Sequence, residues 1–244
     1  MSDSQLAGLL SVQDLDVSID QHRHRRQTLP ERDELRAIDT QMDSLKAQSD
    51  RVTGALDVIA RRESELEAEL SATEQRAATV SRRLYGGEVS ASRELQAMAA
   101  DVETLKARAS ELEDQGLILL EEREPLDMTI DELAVQLGSL DLERAAVLGR
   151  LAEAEDKVDG EIASLIRDRE ESAAGIPADL LANYERLRAR LGGVGAARLV
   201  GNHCDGCHLT LSSMELDRIR HLGDGEVFTC EQCSRILVPS KPSS

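Results

Sequence analysis

The sequence predicts a mainly α fold, in which two long helices pair as an antiparallel coiled-coil hairpin and a small β-rich module follows. Three observations lead to this expectation. The 244 residues include one Phe, two Tyr and no Trp, so burial must come from aliphatic side chains along extended helix surfaces. Apolar residues recur at alternating steps of three and four over two long segments. All four cysteines fall in one short stretch near the C-terminal end.

The first long segment carries a heptad repeat. From Leu35 to Leu84, steps of three and four residues reach fifteen positions, of which twelve are apolar. A seam with this spacing stays against its partner helix only when the two helices supercoil. We expect a helical arm over residues 29–84. It starts at TLPE, where Thr28 and Glu31 have the spacing of a capping box.

A second segment with the same spacing follows a break that contains glycine. Its apolar positions start at Leu95 and continue to Val147, with Gly116 among the interruptions. The break reads YGGEVSAS, in which the glycines can end one helix and the serines can cap the next. A short break favours an antiparallel hairpin. We therefore expect a turn at 85–91 and a second arm over 92–174.

Shorter helices are expected on either side of the two arms. A weak apolar periodicity predicts an N-terminal helix over 3–26, and the overhanging end of the second arm offers it a packing surface. We expect these parts to form an elongated hairpin domain over 1–175. Gly175 and Pro177 then end the second arm, and the following sequence PADLLANYERLRARLGG predicts a connecting helix within 176–194.

The charge of the chain limits its partners. With 47 acidic residues against 29 Lys and Arg, the net charge of −18 repels nucleic acid and anionic membranes, so any contact with nucleic acid must be local. No stretch approaches the roughly 20 apolar residues of a membrane helix. The N-terminal sequence MSDSQLAGLL has an acid where a signal peptide has a basic region. We expect a cytoplasmic protein.

The four cysteines form two Cys-x-x-Cys pairs, Cys204 with Cys207 and Cys230 with Cys233, with 22 residues between the pairs. Two such pairs supply the tetrahedral set of thiolates that Zn²⁺ accepts. Two disulfides would need an oxidising compartment, and a thioredoxin-like site uses one pair within a βαβ pattern. An iron–sulfur cluster is the remaining alternative. We expect one structural Zn²⁺, because four sulfurs leave no open coordination position.

The sequence around the cysteines predicts a C4 zinc ribbon over 195–244. ARLVGNHC and EVFTC are predicted to approach the two cysteine pairs as strands, and RILV to leave the second pair as a third. Ser212 and Glu215 have the capping-box spacing that starts a short helix. The module has few apolar residues, so metal binding is expected to supply most of its folding energy. Three histidines are expected at the surface or beside the ligands: His203, His208 and His221.

The hairpin tip and the cysteine pairs together resemble a known bacterial family. The tip reads LYGGEVSASREL and is followed by Leu-Lys at 105–106 and Leu-Glu-Asp at 112–114. These residues are similar to the signature of the C4-type zinc-ribbon proteins with an N-terminal antiparallel coiled-coil hairpin. The order of parts extends the resemblance over nearly the whole chain. The sequence departs from the family pattern at Ala91 and Ser92, where Asn-Pro is frequent, and at Ser234, where Gly is frequent.

The resemblance implies an elongated helical hairpin with a C-terminal zinc ribbon, a shape suited to holding partners. Members in flagellated or secretion-competent bacteria are linked to a sigma-54 factor, to secretion components, and to nucleic acid through the ribbon. For this chain the resemblance implies a partner protein of the gene-expression or secretion machinery, without naming that protein.

The C-terminal part of the chain is the least repulsive surface for nucleic acid. Residues 178–244 contain eight acids and eight Lys or Arg, against 39 acids and 21 bases before them. Near absence of aromatic stacking partners counts against sequence-specific binding of single strands. The alternative is that these arginines are solvated surface. The candidate nucleic-acid-binding residues are Arg186, Arg188, Arg190, Arg198, Arg218, Arg220 and Arg235.

Two functions stay open at this point. The first is a non-enzymatic zinc-binding coiled-coil adaptor that contacts nucleic acid through the ribbon and a protein of the gene-expression or secretion machinery through the hairpin. The second is a protein-only scaffold or chaperone. The basic run HRHRR at 22–26 either contacts an acidic partner or balances the acidic helices. An enzyme with a small-molecule substrate is disfavoured, because no phosphate-binding loop or nucleophile motif occurs.

Overall fold

The fold is mainly α, as the sequence predicts, with a long helical hairpin and a small sheet near the C-terminal end. The computed structural model of the chain describes residues 3–87, 89–221 and 226–239. Parts of the predicted turn and ribbon, at 88, 222–225 and 240–244, lie outside these ranges. No helix in the described ranges has both the length and the apolar character to cross a membrane. In chain order the elements are α1 (Asp3–Gln27), α2 (Pro30–Tyr85), α3 (Ser92–Ala173), α4 (Ala178–Arg190), β1 (Ala196–Val200), β2 (His203–Cys204), α5 (Ser213–Arg220) and β3 (Ile236–Pro239).

Contacts within the chain divide it into two units, and residues 34–147 form the first. In this unit, Ile38 and Met42 of α2 pack in one buried cluster with Leu140 and Val147 of α3. All four residues belong to the predicted heptad seams. Three ion pairs at or near the surface join α2 and α3 in the same register: Asp39–Arg144 at 2.7 Å, Glu63–Arg123 at 3.2 Å and Glu69–Arg108 at 2.7 Å. Exposed pairs of this kind contribute little stability, so the apolar seam holds the arms together.

The second unit combines both ends of the chain, residues up to 33 and residues from 148 onward. Its main cluster joins Leu9 and Val12 of α1 to Tyr184 of α4 and Ile236 of β3. The N-terminal helix therefore packs on the C-terminal module as well as near the end of α3.

The small sheet of this unit is buried on both faces. Its strand order is β2-β1-β3, with β1 antiparallel to β2 and parallel to β3. Ala196 and Ile236 point toward α1 and α4, whereas Ala197 and Leu237 join the cluster that contains the cysteines. Alternation of side chains along a strand produces these two layers. The sequence predicts a module with almost no core, but the sheet gains a core by packing on α1 and α4.

The basic run of α1 lies against acidic residues of α3. Arg26 pairs with Asp159 at 2.7 Å, while His22 and Arg25 approach Glu161 at 3.4 and 3.3 Å. Pairs at the surface contribute at most about 1 kcal/mol each. Within the chain, HRHRR thus acts as a counter-charge for the acidic end of α3.

Two local predictions differ from the structure. Helix α2 begins at Pro30, so its N-cap position falls at Leu29, and the hydroxyl of Thr28 donates to the carbonyl of His24 at 3.0 Å in the last turn of α1. The predicted strand EVFTC is reduced to a single bridge between Thr229 and Ile236. At Thr28 a local hydrogen bond to the preceding helix replaces the predicted N-cap, and at EVFTC the pairing is limited to one residue pair.

Candidate metal centre

The four cysteine sulfurs converge on one point. The Sγ atoms of Cys204, Cys207, Cys230 and Cys233 all lie within 4.8 Å of one another. The distances from Cys204 to Cys233 and from Cys207 to Cys230 are both 3.8 Å. A tetrahedral Zn²⁺ with Zn–S bonds of about 2.3 Å requires its sulfurs to be about 3.8 Å apart. The four thiolates are therefore arranged to bind one metal ion, and the geometry matches zinc.

Each cysteine pair sits in a tight turn that ends in a left-handed residue. The N–H of His208 donates to the carbonyl of Cys204 at 2.8 Å, and the N–H of Ser234 donates to the carbonyl of Cys230 at 2.8 Å. His208 and Ser234 have φ of 61° and 62°. This conformation is unfavourable by about 1–2 kcal/mol for a residue with a Cβ. The departure from Gly at Ser234 therefore places strain in the second turn without changing its shape.

Burial and hydrogen bonding together set the protonation of the thiols when no metal is bound. It raises the pKa of Cys204 to about 12 and also raises the pKa of Cys230. At Cys233 burial acts in the same direction, but hydrogen bonds with the backbone of Arg235, with Cys230, with the side chain of Arg235 and with Cys207 together outweigh it and lower the pKa. Metal binding must displace protons from the buried thiols, since only the thiolate is a ligand.

The nearby histidines take no part in the cluster. The metal-ligand group found in the described ranges consists of the four cysteines. His203 and His208 are exposed, and His221 lies at the end of α5 with Nδ1 at 2.9 Å from the carbonyl of Asp217. The helix itself starts with the predicted capping box, in which Ser212 and Glu215 exchange two hydrogen bonds.

Arg235 fixes the two cysteine turns to each other. Its guanidinium donates to the carbonyl of Val194 at 3.1 Å and to the carbonyl of Gly206 at 2.9 Å. A Cβ at Gly206 would lie 2.7 Å from Cδ of Arg235 and 2.9 Å from Cβ of Ala197, so only glycine leaves room for this side chain. In this structure the arginine has a structural role.

Two more of the candidate nucleic-acid residues pair with acids of α1. Arg188 contacts Asp20 at 2.6 Å, and Arg198 contacts Asp14 at 2.5 Å. The remaining four candidates are exposed, two on α4 and two on α5: Arg186, Arg190, Arg218 and Arg220. Arg218 also forms a surface pair with Glu231 at 3.0 Å.

A buried glutamine of α1 holds the start of β1. Gln13 is only 4% exposed. Its Oε1 accepts from the N–H groups of Gly195 and Ala196 at 2.7 and 3.1 Å, and its Nε2 donates to the carbonyl of Gly193 at 3.1 Å. Gln13 is not among the site residues expected from the sequence. Its position next to Val12 on an apolar helix face was a signal that a polar side chain is buried there.

Asp16, one turn further along α1, is the centre of a buried ionic network. The hydroxyl of Tyr184 donates to Asp16 at 2.7 Å, and Arg169 and Arg188 approach it at 3.1 and 3.6 Å. Burial, together with this hydrogen bond to a carboxylate, raises the pKa of Tyr184, so the ring stays neutral. Asp16 and Gln13 together fix α1 to α4 and to the sheet that carries the metal ligands.

Solved structures share this arrangement over nearly the whole chain. A protein from Mycobacterium smegmatis is 24% identical with a TM-score of 0.87, covering 98% of this chain and 99% of that one. CT398 from Chlamydia trachomatis is 19% identical with a TM-score of 0.75, and the match covers 97% of this chain and 98% of that one. HP0958 from Helicobacter pylori CCUG 17874 is 17% identical with a TM-score of 0.53, covering 98% of both chains. At these identities the likeness shows the fold.

Among curated proteins, two sequences from Mycobacterium tuberculosis match, Rv2229c of strain H37Rv and MT2288 of strain CDC 1551, both described as uncharacterized. Each is 29% identical over 237 residues, which is 96% of this chain and 95% of the relative. Residues 203–237 match the C4-type zinc ribbon domain. Residues 12–192 match the CT398-like coiled coil hairpin domain. With most of its length in that match, the chain belongs to the CT398-like coiled-coil hairpin family and carries a C4-type zinc ribbon at its C-terminal end.

Proposed function

We propose that this protein is a non-enzymatic adaptor that binds a partner protein through the hairpin, while the metal-bound ribbon is a structural end piece. The observation that carries this proposal is a row of large apolar side chains exposed on α3. A cytoplasmic location, where thiols stay reduced and free to bind zinc, is part of the proposal. The family's links to a sigma-54 factor and to secretion components are not part of the proposal.

The exposed row begins beside α2, where Leu117 and Leu120 line the same groove as residues of α2, and it continues along the outer face of α3. At about 100° per residue, its members fall within an arc of roughly 80°, and Met128, Val135 and Leu142 lie opposite the buried seam that contains Leu133 and Leu140. Val135 and Leu142 are 74% and 76% exposed. We call this row the outer stripe, and its members are Leu117, Leu120, Met128, Val135 and Leu142. Successive members are up to eight residues apart, about 12 Å along the helix, so the stripe is an interrupted row. A row of large exposed apolar side chains along one helix supports a binding site for another protein.

The metal centre supports a structural role for the ribbon. Its four thiolates fill the tetrahedral coordination of a zinc ion, which leaves no position for a substrate. The families matched by the chain are described as a coiled-coil hairpin and a zinc ribbon, and neither description names a catalytic activity. Both features support an adaptor.

Site-specific cross-linking in the native host tests the proposal. A photoreactive amino acid in place of Val135 should give an adduct with one defined protein, because this position is on the outer stripe. The same amino acid in place of Gln136 is the matched control, since that residue is exposed on α3 beside the stripe. No adduct at position 135, or the same adducts at both positions, would overturn the proposal.

A second candidate function, contact with nucleic acid through the C-terminal part, has support from the four exposed arginines of α4 and α5. Arg188, Arg198 and Arg235 are engaged within the chain, which reduces the basic surface predicted from the sequence. Lysine and arginine contacts to phosphates dominate such binding and make it salt-dependent. The surface left for this function is therefore small.

A gel-shift titration tests the second candidate. Replacing Arg186, Arg190 and Arg220 with Gln should weaken binding to duplex DNA and to RNA and flatten its salt dependence. A matched variant replaces Arg76, Arg82 and Arg83 with Gln, since these three arginines are exposed on α2. Equal, negligible binding by all proteins would leave the protein-only scaffold.

A further inference from the structure

The surroundings of the outer stripe are strongly acidic. Between residues 113 and 144, α3 contains ten Asp or Glu and two Arg. Both arginines are already paired, Arg123 with Glu63 and Asp127, and Arg144 with Asp39. A second copy of the chain would bring an equally acidic face against this one, so self-association through the stripe is opposed by repulsion between like charges.

A groove between the two arms opens beside the stripe. Its volume is about 490 Å³, and its apolar wall includes Leu66 and Leu70 of α2 together with Leu117 and Leu120 of the stripe. It opens where Gly116 occupies a seam position of α3, since a Cβ there would meet no atom within 4 Å. The groove has room for a large apolar side chain of a partner.

The polar rim of the groove is mostly carboxylate. Glu63, Glu67 and Glu113 line it, with Arg123 as the basic residue among its lining. Oε1 of Glu63 is buried and has no hydrogen-bond donor among the described residues. A buried carboxylate oxygen without a donor is unfavourable. The accessible carboxylates of the rim outnumber Arg123, so Lys or Arg from a ligand would form charge-assisted contacts with them.

From this combination we propose that the outer stripe, with the groove beside Gly116, is the docking surface for a basic amphipathic helix of a partner protein. The apolar face of that helix covers the stripe, which is about 38 Å long, and one large side chain enters the groove. Lys and Arg on its flanks pair with the acidic rows. The inference rests on the proposed adaptor function and adds the chemistry of the partner.

Binding of designed peptides to the full-length zinc-bound protein tests the partner chemistry. The first probe is a fluorescent helix of about 25 residues with Leu at heptad positions and Lys on both flanks. The second replaces each Lys with Glu, and the third has the composition of the first in an order without an apolar face. The first peptide should bind at micromolar concentration and weaken when salt rises from about 50 to about 300 mM. Equal binding of the third peptide would overturn the proposal, because it would show attraction by charge alone.

Protein variants then locate the binding surface. Gly116→Leu fills the groove and should lower the affinity for the first peptide about tenfold. Leu has a higher helix propensity than Gly, so this loss could not be explained by unfolding of α3. Gly54→Leu is its matched control, since Gly54 is an exposed residue of α2 with equally open space around it. Val135→Gln with Leu142→Gln should also weaken binding, whereas Val58→Gln, at an exposed apolar residue of α2, should not. Unchanged affinity in both the groove and the stripe variants would contradict the proposal.

Two further results separate this inference from the adaptor function. Concentration-dependent dimerisation of the protein, lost on Val135→Gln with Leu142→Gln, would assign the stripe to a second copy and overturn the inference. A specific cross-linked partner at position 135, together with no binding of the basic peptide, would keep the adaptor function and reject the basic helix. Absence of any cross-linked partner would instead reject the adaptor function itself.

Discussion

The most informative single perturbation is replacement of Gln13 by Leu. The substitution keeps the size and helix preference of the side chain but removes the amide that binds Gly193, Gly195 and Ala196. Three hydrogen bonds of about 1 kcal/mol each are lost, and two buried N–H groups lose their acceptor. Added burial of the Leu side chain offsets part of the loss. We expect the free energy of unfolding of this unit to fall by about 3–5 kcal/mol.

Tyrosine fluorescence provides an assay that is specific for this unit. The chain has no Trp and two Tyr, of which Tyr184 is buried beside Asp16 and Tyr85 is 83% exposed in the hairpin. In a Tyr85→Phe background, denaturant unfolding followed by tyrosine emission therefore reports on Tyr184. Circular dichroism of the same samples follows the helices of the whole chain.

Gln21→Leu is the matched control for this experiment. Gln21 is exposed on the same helix, so its replacement by Leu should change the free energy of unfolding by no more than about 0.5 kcal/mol. If Gln13→Leu also costs less than about 1 kcal/mol, the amide does not hold α1 to the sheet and the reasoning is refuted.

Four other outcomes are expected. Chelating the metal should speed hydrogen exchange on the cysteine side of the sheet but leave Tyr184 buried, because the opposite face packs on α1 and α4. If chelation also exposed Tyr184, the two-layer arrangement would be contradicted. Ser234→Gly should raise the denaturant midpoint by removing the left-handed strain at φ 62°, with a gain of up to about 1 kcal/mol, and a lower midpoint would argue against that strain. Gly195→Ala should destabilise the protein by about 2 kcal/mol or more, since its Cβ would lie 2.8 Å from the carbonyl of Tyr184; an unchanged melting temperature would show that the backbone shifts freely. Burial raises the pKa of metal-free Cys204 to about 12 and so favours its thiol form. Metal binding must displace this proton, so metal affinity should rise with pH. A metal affinity that does not change with pH, after correction for protonation of the competing chelator, would contradict this protonation of Cys204.

Much of the hairpin and of the metal centre could be predicted because the signals are local. The heptad positions of α2 and α3 depend on spacing within one helix, and Ile38, Met42, Leu140 and Val147 are buried as that spacing indicates. The four cysteines are close in sequence, and their thiolates are zinc ligands. Their convergence on one point could therefore be predicted from their spacing and from the four ligands that a tetrahedral metal ion requires. The role of the arginines did not follow, because charge in a sequence does not say which acid lies opposite.

The sequence alone determined that two helices would pair and that four thiolates would surround one metal ion, since periodicity and ligand spacing are properties of neighbouring residues. The tertiary structure decided that the N-terminal helix covers the sheet of the ribbon, where Gln13 reaches a carbonyl 180 residues away. It also decided that Arg188 and Arg235 make part-buried contacts within the chain, and that Arg198 pairs with Asp14 at the surface. Contacts over such separations depend on how whole elements pack, and no local pattern of residues specifies them.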